Sequence, residues 1–221
     1  MNLDTYTTYK IGIFDRILLR KRKQIYEVLS SCIDLESLRS ILDVGVTADR
    51  TFRSSNFLEV FYPHPERITA LSDQDASWME GVFPGLKFVR GDGCSLPFAS
   101  SSIDLVFSSA TVEHVGNFER QELFISECFR VASRYVFLTT PNRAHPFEFH
   151  TLLPLIHWLP KDLHRKILRL LGYQYLSQEE NLNLLNRADL LKAAGRIGGK
   201  VEIKNISFLS MTSNLLLLIE K

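Results

Sequence analysis

Cysteine is scarce in this chain: the three thiols, Cys32, Cys94 and Cys128, are odd in number and far apart. That excludes a disulfide scaffold and the compact spacings of structural zinc sites, and it fits a reducing compartment. An excess of one charge is also absent. There are 26 basic and 25 acidic side chains, a net charge of +1, so no overall field draws in nucleic acid or an anionic membrane. The longest apolar stretches, around residues 152–158 and 215–219, fall far short of the roughly 20 residues of a spanning helix. The opening residues Met1-Asn2-Leu3-Asp4 lack a basic region followed by an apolar one, so no secretory leader is expected. Repeats and low-complexity segments are missing too. A cytoplasmic, water-soluble protein is the expectation.

What is present is enough apolar material for a core, 45% of 221 residues, which suits a single α/β domain. Apolar positions at helical spacing over residues 14–34 predict a helix before the first strand. Its run Arg20-Lys21-Arg22-Lys23 reads as a solvated face, with steering of an anionic substrate or peripheral contact to a phospholipid surface left open. Continuous apolar runs predict strands covered on both faces at Ile41–Val44, Ile68–Leu71, Leu86–Val89, Ile103–Phe107 and Tyr135–Thr139. Helices are expected between them at residues 50–60, Ala76–Val82 and Phe118–Val131. In the last of these Phe118, Leu123, Phe124 and Phe129 are core candidates. The alternation breaks after Pro141. Residues 142–190 carry prolines 146, 154 and 160 and read as a helical insertion over the carboxyl edge of the sheet, long enough to wall a substrate site. Residues 1–36 form an N-terminal helical extension on this reading. Val201–Leu209 and Leu215–Glu220 are the final two strands.

Two segments carry the chemistry. Ile41-Leu42-Asp43-Val44-Gly45 is a strand running into an acidic glycine turn. Arg90-Gly91-Asp92-Gly93-Cys94-Ser95-Leu96-Pro97-Phe98 is a second acidic turn, followed by a strand and then by Glu113-His114-Val115. Two such units place a nucleotide-sized crevice at the carboxyl ends of parallel strands.

The pair resembles the class I S-adenosylmethionine-dependent methyltransferases, in particular the small-molecule, type 11-like branch with its L-P-F and E-H-V signatures. The resemblance covers Leu38 to Asn142, and from there to Thr151 the chain is similar to a narrower bacterial group. It implies a Rossmann-like, seven-stranded, mostly parallel sheet with helices on both faces and an antiparallel C-terminal edge hairpin. The cofactor it implies is S-adenosyl-L-methionine. Asp43, Gly45 and Thr47 then lie at the methionine carboxylate. This chain departs from D-x-G-x-G-x-G there, with Thr47 and Asp49 in place of the later glycines. Thr47 or Arg50 would supply the missing carboxylate contacts. The resemblance puts the ribose acceptor at the end of the second strand. Its usual register lands on Ser72; Asp73 follows one step later and is the acid chosen, with Asp75 next, and either acid also reads as a cap of the following helix. Asp92 would accept from the adenine amine, Gly93 and Cys94 would line the ring, and Ser109 would face the methionine portion. Asp104, at the start of its strand, reads as structural.

Methyl transfer to a hydroxyl gains from a general base. The candidates sit after the fourth and fifth strands: His114 beside Glu113, and His150 with Glu148 two residues away. Binding of a metal by His145, Glu148 and His150 lacks further compact ligands, so no metal is expected. His157 and His164 read as packing or surface residues. The acceptor expected is a small molecule, a saccharide or glycolipid hydroxyl by family analogy, with Phe147, Phe149, Trp158, Tyr173 and Tyr175 available to a sugar ring. Nucleic acid is not expected, because the base-methylating N/D-P-P-Y pattern is missing. A partner protein that keeps the fold and has lost the cofactor is the competing class, and the altered glycine loop motivates it. Oligomeric state is not legible.

Overall fold

A computed structural model describes residues 13–50 and 54–221. It contains one seven-stranded sheet in the order β3-β2-β1-β4-β5-β7-β6. The strands are β1 (Ile41–Val44), β2 (Ile68–Ser72), β3 (Lys87–Arg90), β4 (Ile103–Ser109), β5 (Ala132–Pro141), β6 (Lys200–Phe208) and β7 (Met211–Glu220). The first five run parallel; β7 pairs antiparallel with both β5 and β6. The strand order reverses between β1 and β4, and a crevice opens there at the carboxyl ends.

Successive side chains on each central strand point to opposite faces, and here both faces are covered. Leu42, Val44, Val106, Val136, Leu138, Leu215 and Leu217 pack with Phe124, Ile125 and Cys128 of α4 (Phe118–Val131) and Leu190 of α6 (Arg187–Ala194). Ile41, Ala70, Leu105, Phe107, Phe137 and Leu216 pack with Ile25 and Leu29 of α1 (Ile13–Cys32), Phe57 of α2 (Phe57–Phe61) and Met79 of α3 (Met79–Val82). Phe107 and Phe137, neighbours across β4 and β5, stack with ring centroids 6.0 Å apart.

The helix over Phe118–Val131 forms where its periodicity predicts. Asn117 caps it by accepting from the Arg120 amide at 3.0 Å, and Phe124, Ile125, Cys128 and Val131 make one buried stripe. Leu123 falls outside that stripe and is 46% exposed, so it is not a core residue. Strands β4 and β5 outrun their apolar runs. Hydrogen bonding to β7 extends β5 as far as Pro141, opposite Asn214. Part of the helix expected over 50–60 falls outside the described residues.

The 142–190 segment is less helical than expected. It holds a 3-10 turn at Ile156–Trp158 and α5 (Lys161–Leu170), while prolines interrupt the rest. Its last residues already belong to α6, which packs on α4 as an ordinary sheet helix. A satellite core of Leu168, Leu176, Leu182 and Leu184 holds the segment together.

Two glycines differ sharply in what a side chain would meet. A Cβ on Gly93 would lie 2.5 Å from the Phe124 ring, whereas one on Gly81 meets nothing within 4 Å. Gly93→Ala is expected to cost about 1–3 kcal/mol by overpacking, and Gly81→Ala, in α3, to gain up to about 1 kcal/mol. Urea midpoints at unchanged slope check both, and a neutral Gly93→Ala would contradict the packing described.

Candidate functional site

The acidic turn after β1 lies where the sequence places it. Gly45 has φ +93°, and a Cβ there would run into the Thr111 side chain, so only glycine suits this turn. Its amide donates to the Leu71 carbonyl at 2.7 Å. Thr47 is fixed by Asn56, which accepts from its amide and donates to its carbonyl, both at 3.0 Å. Arg50 is exposed and lies over the Trp78 ring at 5.0 Å.

Asp43 is 5% exposed and Glu59 of α2 is 3% exposed. Burial, with Glu59 as neighbour, pushes the Asp43 carboxyl well above the usual carboxylate range. Burial likewise raises Glu59 to about 7. The cation facing this pair comes from α1. Arg22 donates to Ser109 Oγ at 2.8 Å, Ser109 Oγ lies 2.9 Å from Thr139 Oγ1, and the guanidinium lies over the Phe57 ring at 5.3 Å. Burial lowers the Arg22 pKa against the pull of Glu113 and Asp43. The solvated-face reading of residues 20–23 therefore fails at Arg22, because its position on the helix turns it toward the crevice beside the buried Ile25 and Leu29.

Along β2 and β3 the acids are more exposed. Asp73 and Asp75 are both at the surface. Asp75 caps the next turn by accepting from the Ser77 amide at 3.0 Å, and Asp73 follows directly on β2. Asp92 accepts from the Cys94 amide at 2.8 Å and pairs with Arg120 at 3.1 Å. Burial opposes this, yet those bonds hold the Asp92 carboxyl below its ordinary value. Gly93 faces Phe124. The Cys94 thiol is buried toward the first turn of α4, 3.5 Å from the Arg120 carbonyl, and burial raises it to about 11. Its side chain points into the core. Asp104 accepts from the Arg39 amide at 2.8 Å and from Ser133 Oγ at 3.2 Å, a structural clasp at the start of β4.

The residues named for proton transfer meet, although 36 positions separate His114 from His150. Chain reversal at Ala110, φ 55°, sends the backbone into the 3-10 turn Val112–His114. The segment after β5 brings Glu148 and His150 over the same edge. His150 Nδ1 lies 2.6 Å from Glu148 Oε1. Glu148 also accepts from the His150 amide at 2.7 Å, and from the Thr151 amide at 2.7 Å and hydroxyl at 2.6 Å. Burial opposes ionisation of Glu148, but His150 and Thr151 outweigh it and hold the carboxyl at about 2. Burial alone would depress His150; the Glu148 charge and hydrogen bond raise it instead. His114 is lowered, by burial and then by His150. The two Nε2 atoms are 3.1 Å apart.

Four further participants escaped the sequence reading as site residues. Glu113 is fully buried; one carboxylate oxygen accepts from Thr140 Oγ1 at 3.0 Å. The carbonyl of Asn181 sits 2.5 Å from His114 Nδ1. Arg22 and Glu59 complete the set. An E-H pair signals Glu113, but nothing local signals Asn181 or Arg22, which arrive by tertiary packing. His145 turns away, its ring stacked 5.0 Å from Phe149. His157 is buried, its Nε2 donating to the His145 carbonyl at 2.7 Å. His164 is buried too and lowered to about 4 by burial.

The opposed shifts define a pH signature. Glu148 is depressed, so its contribution to stability is complete above its ordinary value of 4.5 and is lost as pH falls toward about 2. His150 is raised from 6.5, so its contribution is complete below that value and is lost as pH rises through the folded one. The stability difference between wild type and Glu148→Gln is therefore expected to peak between pH 4.5 and 6.5. Urea unfolding across pH 2–9 checks this; a difference that is flat with pH would break the assignment.

Residues 43–138 match the family model described as a methyltransferase domain. Among solved structures the chain is similar to a SAM-dependent methyltransferase from Methanosarcina mazei, at 16% identity and TM-score 0.57, with 89% of this chain and 97% of that one covered. It is similar to magnesium protoporphyrin IX methyltransferase from Synechocystis with bound SAH, at 14% identity and TM-score 0.57, covering 98% and 91%. It is also similar to the N-methyltransferase NodS from Bradyrhizobium japonicum, at 12% identity and TM-score 0.58, covering 96% and 99%. The sheet order and the acidic turns after β1 and β3 agree with these neighbours: this chain has the fold of the class I S-adenosylmethionine-dependent methyltransferases, and residues 43–138 match the methyltransferase-domain model.

Proposed function

We propose that the chain transfers a methyl group from S-adenosyl-L-methionine to a hydroxyl of a small molecule. The observation that carries the O-methylation reading is the buried Glu148–His150 pair at the carboxyl edge of β4 and β5, with a carboxylate on Nδ1 and Nε2 turned toward His114. The cofactor follows from the domain match and the crevice at the β1/β4 reversal.

In this reading Asp43, Gly45 and Thr47 border the methionine end. Arg22, already inside, meets its carboxylate in place of the exposed Arg50. Asp73 takes the ribose, Asp92 the adenine amine, Gly93 and Cys94 border the ring through their backbone, and Ser109 lies near the methyl group. The acceptor proton passes to His150 Nε2 while Glu148 holds the imidazolium. The acceptor oxygen's lone pair forms the bond to the methyl carbon, and the carbon–sulfur pair leaves on sulfur as a neutral thioether. Alignment and desolvation supply most of the rate. The acceptor we favour is a saccharide or glycolipid hydroxyl bound under residues 142–186, where Phe147 and Trp158 are exposed. A cofactor-free partner protein is the alternative that the altered loop at Thr47 and Asp49 keeps in view.

S-adenosylhomocysteine at about 100 times its dissociation constant is expected to stabilise the fold by about 2.7 kcal/mol. An unchanged melting curve at millimolar ligand would favour the partner protein. His150→Ala and Glu148→Ala are expected to keep that affinity while losing about 10²–10⁴ in turnover; Asp92→Ala is expected to lose the affinity. Assaying His114→Ala beside His150→Ala assigns the base, because full activity in the His150 variant would move it to His114.

A further inference from the structure

The hydrogen bonds around the two histidines fix which nitrogens carry protons. A backbone carbonyl only accepts, so His114 Nδ1, 2.5 Å from the Asn181 oxygen, is the protonated nitrogen of that ring. His150 Nδ1 donates to Glu148 Oε1 at 2.6 Å. In the neutral rings both Nε2 atoms therefore present lone pairs, and they face one another at 3.1 Å. Glu113 adds a third acceptor. Its Oε2 is taken by Thr140, while Oε1 is buried, has no hydrogen-bond partner and lies 3.9 Å from His150 Nε2. Three lone-pair donors thus converge in a volume from which water is largely excluded. Such an arrangement is costly unless something positive sits between them, either a proton on His150 Nε2 or a metal ion.

We propose that Glu113 Oε1, His114 Nε2 and His150 Nε2 bind a divalent transition-metal ion, zinc or a close relative. Two nitrogens about 2.0–2.1 Å from one zinc at the tetrahedral angle are about 3.3 Å apart, close to the 3.1 Å between these two. The three ligand atoms lie within 4.8 Å of one another, so Glu113 Oε1 closes by about 1 Å to reach the same ion. Each histidine also has the outer partner that metal-bound imidazoles have, a carboxylate on one and a backbone carbonyl on the other, which fixes tautomer and ring orientation. Two imidazoles and one carboxylate suit zinc or another borderline divalent ion better than magnesium or calcium. The set differs from the His145, Glu148 and His150 combination read from sequence: His145 faces aromatic rings, and Glu148 is an outer partner.

The proposal deepens the reading of this cluster as the acceptor-activating centre, on which it rests for its function. Three protein ligands leave open a coordination position for an acceptor oxygen. With the ion bound, His150 Nε2 is a ligand and no longer takes the acceptor proton; coordination would lower the pKa of the hydroxyl so that its proton passes to solvent water as the oxygen attacks the methyl carbon.

Untagged full-length protein, stripped with chelator and titrated with ZnCl2 by calorimetry, is expected to take up one zinc per chain. Co2+ is expected to give visible absorption bands of a low-coordinate site with nitrogen ligands. His114→Ala, His150→Ala and Glu113→Gln should each weaken zinc by about 100-fold or more, and Glu148→Gln by about 10–100-fold through its outer position. Glu113→Gln preserves side-chain size and a carbonyl acceptor for Thr140, so it reports on ligation even where the histidine variants fold poorly. No zinc uptake by wild type, or uptake unchanged in Glu113→Gln and His150→Ala, would overturn the site. S-adenosylhomocysteine binding with activity abolished in His150→Ala, but without zinc, would overturn the metal and leave the base reading standing. Loss of S-adenosylhomocysteine binding with zinc retained would do the reverse.

Discussion

The backbone of Glu113 joins the parts of this molecule that make the site. Its carbonyl accepts from the Asn183 amide at 2.8 Å, and its side chain is held by Thr140 at the end of β5. Gln121 of α4 donates to both the Val112 and Asn183 carbonyls, at 3.1 and 2.7 Å, and Asn183 donates to the Gly116 carbonyl at 3.0 Å. The turn after β4, the end of β5, the start of α4 and the far end of the 142–186 segment are thereby tied at one point, and all of these groups are buried. A buried polar network of this kind is stabilising only when its members are satisfied. Its near-complete pairing makes the lone Glu113 Oε1 the conspicuous exception.

Sheet and crevice were largely legible because they depend on local signals. Continuous apolar runs read as buried parallel strands, and the turns at Asp43-Val44-Gly45 and Gly91-Asp92-Gly93 lie at the strand ends where the crevice opens. The helix at Phe118–Val131 shows both its cap and its stripe in the chain. Leu123 is apolar but lies off that stripe, so its residue type alone points to the core while its helical position faces solvent. The 142–186 segment resisted because prolines break its periodicity and its order comes from the Leu168–Leu184 satellite core and from Asn183, neither of which leaves a repeating pattern.

Within the site, neighbours in sequence were found and partners across the fold were not. Glu148 and His150 are two residues apart, and a loop that turns both toward one edge suffices to join them. The pairing of His150 with His114 spans two strands, and the Asn181 carbonyl that sets the His114 tautomer carries no side-chain signal at all. Arg22 was hidden by its company: three basic neighbours make it look like part of a solvated run, and only the helix register, with Ile25 and Leu29 on the same side, turns it inward.

That register also decides what holds Arg22 in place. Were attraction to Asp43 and Glu113 the stronger effect, the arginine pKa would rise; it falls, because burial outweighs both acids. Asp43 likewise ends well above its usual range even with the arginine nearby. The buried guanidinium thus carries a desolvation cost at its place on α1. Ile25 and Leu29, 1% and 0% exposed, each contribute on the order of 1.5–3 kcal/mol by burial, and they carry the guanidinium in with them. The crevice is a place where charges are kept at a cost, and apolar packing on the same face of α1 offsets it. A protein selected for stability alone would fill that position with a smaller apolar residue. Charged groups kept buried at such a cost are a mark that clefts with a function share more often than plain cores do.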